Sequence, residues 1–187
     1  MTDEAAARER RSSRRWSIAG LVATVVVGAL VVLGAGRPAD PYLAGAGAGT
    51  LTGEFRSVSF TITGPRAKVA PTAERCAFLA ETEEQQHRGL MNSTSLEGRD
   101  GMLFRFTDDV TTGFIMKDTP LPLSIAWFDA DGSFVSATDM EPCLGQPACQ
   151  TYAAARPYRY ALEVPQGRLP DLGALPGARL AVGGPCG

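Results

Sequence analysis

The chain has one histidine, four cysteines and, beyond the initiator, four methionines. These and a few charged groups are the side chains whose types could do chemistry. His87 would have to anchor any Ser-His-acid triad. It sits four residues after Glu83 and beside Arg88 on an expected helix, where a solvated polar face accounts for it. Met91, Met102, Met116 and Met140 could offer thioethers to Cu(I), with His87 just ahead of the first pair. No later histidine completes that set, and methionines in LM, MLF and IMK contexts read as core gap-fillers. There is no clustered His/Cys set of zinc type, no acidic calcium loop and no cofactor motif.

A second candidate is polar: Arg88, Lys117, Thr119 and Glu163. Lys117 closes an apolar run (FIMK), so its ammonium should emerge at the rim of a sheet. In ALEV, alternation sets Glu163 opposite Leu162 and Val164, on an outer or rim position. An arginine and a lysine on one concave surface would suit a carboxylate or other anion. The competing reading is a structural ion pair of Glu163 with Arg88 or Lys117, pinning helix to sheet. Trp127, Tyr152, Tyr158 and Tyr160 could line a sugar or peptide surface, or simply fill the core.

Cys76, Cys143, Cys149 and Cys186 all follow the N-terminal region, none in C-x-x-C. In an exported domain four cysteines imply two disulfides with three possible connectivities, free buried thiols being the alternative. The short LGQPA loop makes Cys143–Cys149 easy to close. That leaves Cys76 with Cys186, a long-range bridge that would stabilise by roughly 4–5 kcal/mol.

Export is suggested by the N-terminus. Residues Ser17–Ala35 carry no charge and are almost wholly apolar, about the length a membrane-crossing helix needs. Arg8, Arg10, Arg11, Arg14 and Arg15 precede them and favour a cytoplasmic N-terminus. The expected organisation is a basic segment 1–16, a signal anchor 17–35, a Gly/Ala/Pro linker 36–53 and an exported domain 54–187. Cleavage of the apolar segment as a signal peptide would instead release the domain; a twin-arginine signal is a poorer fit. From Glu54 onward 12 Lys+Arg face 16 Asp+Glu, a net charge of −4 without a basic stripe, so nucleic-acid binding has no electrostatic footprint.

The domain opens with alternation (Val58, Phe60, Ile62), a half-buried strand ended by Gly64-Pro65. Thr82-Glu83-Glu84-Gln85 spells a capping box, and the helix it starts should end near Gly89. The other strands are expected at Cys76–Ala80, Met102–Phe106, Gly113–Met116, Ser124–Asp129, Ser133–Thr138, Arg159–Val164 and Arg179–Val182. Asp129-Ala130-Asp131-Gly132 reads as a hairpin turn, and Pro120 and Pro122 keep Leu121 out of a central strand. Many short strands with one short helix indicate a mainly β (α+β) single domain, sandwich- or barrel-like.

The segments Arg88-Gly89-Leu90-Met91, Gly101-Met102-Leu103-Phe104, Met116-Lys117 with Thr119, Pro122-Leu123, Asp129 with Gly132, Met140-Glu141-Pro142-Cys143 and Ala161-Leu162-Glu163-Val164 with Gly167 together resemble the domain of unknown function 192 family. The resemblance runs from about Phe55 to Val182 and implies a mostly β fold with a small helix; it supplies no activity. The family usually has Trp where Ile115 stands, Asp where Ser124 stands and a Gly-Asp pair at Gly177-Ala178. If those aspartates serve chemistry in relatives, this chain lacks part of it.

Together these readings predict a membrane-tethered, extracytoplasmic, disulfide-stapled β domain that binds a small anionic ligand or envelope component through Arg88, Lys117, Thr119 and Glu163. The alternatives are an enzyme acting on envelope material through Lys117 and Glu163, and an accessory domain docking to a membrane partner.

Overall fold

A computed structural model of the protein describes residues 50–65 and 74–187. The apolar segment 17–35 and linker residues 36–49 lie outside them. Among the described residues no helix is long and apolar enough to cross a membrane.

The described residues form nine strands and three short helices in the order α1 (Leu51–Glu54), β1 (Ser57–Thr63), β2 (Arg75–Ala80), α2 (Glu83–Arg88), β3 (Gly101–Val110), β4 (Phe114–Ile115), β5 (Leu123–Phe128), β6 (Phe134–Met140), β7 (Thr151–Tyr152), β8 (Tyr158–Pro165), α3 (Leu169–Leu172) and β9 (Arg179–Pro185). The expected strands are all present, with ends shifted by a few residues; β7 was not anticipated. Nor were α1 and α3, so the one helix read from the sequence, α2, has two four-residue companions.

Seven strands form one sheet in the order β6-β5-β8-β3-β2-β1-β9, while β4 and β7 form a separate ribbon. Neighbours in the large sheet are antiparallel except β2 and β3, which run parallel and therefore need a crossover. That crossover carries α2. The sheet curls until its edges meet at one corner: Ser133 bridges Arg179, Leu180 N–H donates to the Gly132 carbonyl at 2.7 Å, and Phe134 N–H donates to the Ala178 carbonyl at 3.0 Å. Gly132 is required there. It adopts φ +78°, and a Cβ would lie 2.1 Å from the Leu180 carbonyl oxygen. The result is barrel-like, joined at one end.

Apolar clusters cover both faces of the sheet's central strands. The concave face holds Val58, Phe60, Leu79, Leu103, Phe128, Leu162 and Val164, plugged by Leu169 and Leu172 of α3. The other face holds Phe78, Met102, Phe104, Ile125, Trp127 and Ala161 beneath α1, α2, the β4–β7 ribbon and their connections. β5 is accordingly buried along its whole length rather than alternating. Met102, Met116 and Met140 are core residues, matching the packing reading. Trp127 and Tyr158 are core as well, not a surface aromatic array.

Leu51, read from the sequence as linker, is buried in the second of these cores, so the domain begins a few residues earlier than 54. α1 lacks a side-chain N-cap of its own. Glu97 substitutes from a distant loop, accepting from the Leu51 N–H at 2.7 Å and the Thr52 N–H at 3.1 Å; a carboxylate there satisfies otherwise orphaned helix amides. Two disulfides, Cys76–Cys186 and Cys143–Cys149, complete the frame with no free cysteine among the described residues.

Candidate functional site

A cavity of about 730 Å³ lies between the outer face of the sheet, α2 and the β4 segment. Its floor is Phe104 on β3 and Glu163 on β8. One wall is α2 and the turn after it, from Glu83 to Met91. The opposite wall is Phe114, Ile115, Lys117 and Thr119. Phe106, Val110, Thr112, Gly113 and Thr151 close the remaining side. All four polar residues singled out in the sequence, Arg88, Lys117, Thr119 and Glu163, line this one space.

α2 is placed by its ends more than by its faces, since none of its residues is buried. Both bonds of the capping box form: Thr82 accepts from the Gln85 N–H at 3.2 Å, and the Gln85 side chain accepts from the Thr82 N–H at 3.3 Å. Gly89 ends the helix at φ +44°. Gln86 Nε2 donates to the Arg105 carbonyl of β3 at 2.9 Å, fixing the helix to the sheet.

Glu163 overturns the expectation of a rim position. It sits on β8 between β3 and β5, in register with Met102 on one side and Ile125 on the other, and is 5% exposed. Alternation placed it correctly opposite Leu162 and Val164. That opposite face is itself roofed by α2 and β4, so the carboxyl is buried. No ion pair or hydrogen bond reaches it among the described residues. Among the described residues the only side-chain polar atom both sealed from solvent and unpartnered is Trp127 Nε1, and Glu163 lines the cavity floor. Burial alone lifts its pKa to about 8, leaving it mostly uncharged at neutral pH.

The expected helix-to-sheet ion pair is absent for the same reason. Arg88 turns to Glu54, with Nε 3.2 Å from Oε2, and also donates to the Met91 carbonyl. Lys117 is exposed at the mouth and has no acidic partner among the described residues. Thr119 is buried; its hydroxyl donates to the Lys117 carbonyl at 3.1 Å. That contact shapes the turn and leaves Thr119 supporting Lys117.

His87 is exposed on α2, as a solvated face requires, and also borders the cavity. Sequence reasoning missed the aromatic lining of Phe104, Phe106 and Phe114. Phe104 and Phe114 meet edge-to-face at 4.9 Å. Alternate residues of β3 were the available signal, obscured because α2 and β4 roof that face of the sheet. Ser124 lies on the opposite, concave face. Its hydroxyl donates to Asp139 at 2.5 Å and accepts from the Gly167 N–H at 2.8 Å. The aspartate expected there is therefore no part of this cavity.

Chemically, the arrangement offers an apolar cleft, one uncharged carboxyl at the bottom and a cation at the mouth. No group of three or more His, Cys, Asp or Glu side chains able to hold a metal occurs among the described residues.

Residues 67–182 match the model of the family DUF192, described as "Uncharacterized ACR". No curated protein matches the chain. Two solved structures resemble it. A Sinorhizobium meliloti 1021 protein described as a candidate transcription regulator is 26% identical, with a TM-score of 0.57, covering 68% of this chain and 95% of its own. A Novosphingobium aromaticivorans DSM 12444 protein of unknown function is also 26% identical, with a TM-score of 0.56, covering 67% and 84%.

Proposed function

The chain belongs to the domain of unknown function 192 family, and from that footing we propose that its β domain is a binding module for a small anionic ligand with an apolar body. The observation that carries this is the cavity itself: about 730 Å³, lined by Phe104, Phe114 and Leu90, with Lys117, which has no acidic partner among the described residues, at its mouth. Apolar walls with few convergent polar groups are what small-molecule sites look like. Lys117 supplies a point charge for an anion, while Arg88, committed to Glu54 and Met91, serves as a fixed positive rim.

Catalysis is the weaker reading. A mostly uncharged carboxyl can act as a general acid, but among the described residues no second group hydrogen-bonds to it. The regulator description of the S. meliloti relative is not extended to this chain, whose acidic domain lacks a phosphate-tracking surface. We place the domain outside the cell membrane, held by residues 17–35; its ligand is then an envelope or extracellular compound. Protease protection of spheroplasts with a tag at the C-terminus would refute that placement if the tag survived.

Calorimetric titration with octanoate tests the binding proposal. Saturable binding that Lys117→Ala weakens about tenfold supports it, the size expected from losing one charge-assisted contact. Binding indifferent to Lys117→Ala rejects it.

A further inference from the structure

Resting on that reading, we infer that Glu163 receives the buried end of the ligand as a hydrogen-bond donor, so that the cleft selects monoanions whose apolar body ends in an uncharged oxygen acceptor. Such a ligand is an acid at one end and an ester, amide, ketone or alcohol at the other.

The argument starts from an unmet requirement. Glu163 is held by the sheet on both sides, is 5% exposed and has no protein partner among the described residues. A buried polar group without a partner is unfavourable unless something else supplies one. Glu163 lines the cavity floor, so a molecule in the cavity can reach it. Its immediate neighbours, Met102 and Ile125 in register and Phe104 beside it on the floor, are all apolar. Charged or titratable groups bordering the cavity come from α2 (Glu83, His87, Arg88) and from the β4 wall (Lys117). β3 and β5 contribute none.

The two ends of the cleft therefore ask for different chemistry. A ligand carboxylate driven to the floor would lose its hydration among apolar side chains, far more unfavourable than burying a neutral carbonyl. At the mouth the same carboxylate stays partly solvated beside Lys117. The acceptor belongs at the floor and the charge at the rim. Burial keeps Glu163 protonated to about pH 8, which makes it a donor at neutral pH. Binding an acceptor draws on the protonated form, so affinity falls as pH rises through that value.

A matched pair of probes reads this directly. Monomethyl suberate and octanoate share a carboxylate and a six-methylene chain; only the former ends in a carbonyl. With the full-length chain, monomethyl suberate should bind about tenfold more tightly at about pH 6.5, one hydrogen bond's worth, and the advantage should disappear by about pH 9.5. Glu163→Gln, which keeps a donor, should retain the advantage and lose its pH dependence; Glu163→Leu should abolish the advantage while octanoate binding persists. Equal affinities for the two probes, or a pH slope that survives in Glu163→Gln, overturn the assignment while leaving the anion site standing. If neither probe binds, the binding module fails and this inference fails with it.

Discussion

Lys117 is held in a parallel backbone bridge with Cys143: the Asp118 N–H donates to the Cys143 carbonyl at 3.1 Å, and the Cys143 N–H donates to the Met116 carbonyl at 3.2 Å. The cation at the mouth of the cavity is thus positioned by the short Cys143–Cys149 disulfide loop rather than by a continuous sheet.

Removing that loop closure should disturb binding more than stability. Cys143→Ser with Cys149→Ser should lower stability by only roughly 2 kcal/mol, as a short loop implies. It should also weaken octanoate binding severalfold. The Cys76–Cys186 bridge spans 110 residues, and its removal should be worth about 5 kcal/mol in the same treatment. Urea unfolding alongside calorimetry separates the two.

Glu163 should make stability pH-dependent in an uncommon direction. Burial raises its folded pKa to about 8 from the ordinary carboxyl value of 4.5. The folded state then holds a proton the unfolded state has released. The contribution of Glu163 to stability is full below about pH 4.5, falls between there and about pH 8, and is level above, the total loss being at most on the order of 5 kcal/mol. Glu163→Gln should flatten this decline and melt above the parent protein at alkaline pH. A parent protein whose unfolding midpoint rises from pH 5 to pH 8, with Glu163→Gln unchanged by comparison, would contradict the account.

Thr82→Ala removes one half of the capping box. It should destabilise by about 1 kcal/mol and speed amide exchange across Glu83–Arg88 more than across β3. Because α2 buries none of its own residues, little else compensates.

Gly101→Ala tests how closely β3 and β8 approach below the cavity. A Cβ there would lie 2.0 Å from the Glu163 carbonyl oxygen, with backbone as the obstacle. A loss of about 3 kcal/mol or more is expected in chemical unfolding. A near-neutral result would mean the strands have room this geometry denies.

Much of the architecture was legible from local pattern. The capping box, the Asp129–Gly132 hairpin and the alternation of Val58, Phe60 and Ile62 each state their conformation within a few residues, and both disulfides followed from spacing and elimination. Elements of two or four residues, such as β7, α1 and α3, are too short to display a period. Glu163 shows the deeper limit. Alternation tells which face a side chain takes but not what lies over that face, and here α2, arriving through the β2–β3 crossover, converts an outer position into the floor of a cavity. Arg88 and Lys117 were brought together as expected. Their pairing to Glu163 failed because α2 directs Arg88 to Glu54 instead, a choice set by three-dimensional proximity.

The β2–β3 crossover also divides the cavity into two parts with unequal freedom to vary over descent. Floor residues such as Phe104 and Glu163 are each held by strands on both sides, so a change there propagates into the sheet. The walls belong to connections: a helix with no buried residue and a two-residue ribbon beside a disulfide loop. Descendants of one fold can therefore retain a single floor while exchanging walls, and relatives that share this sheet need not share a ligand.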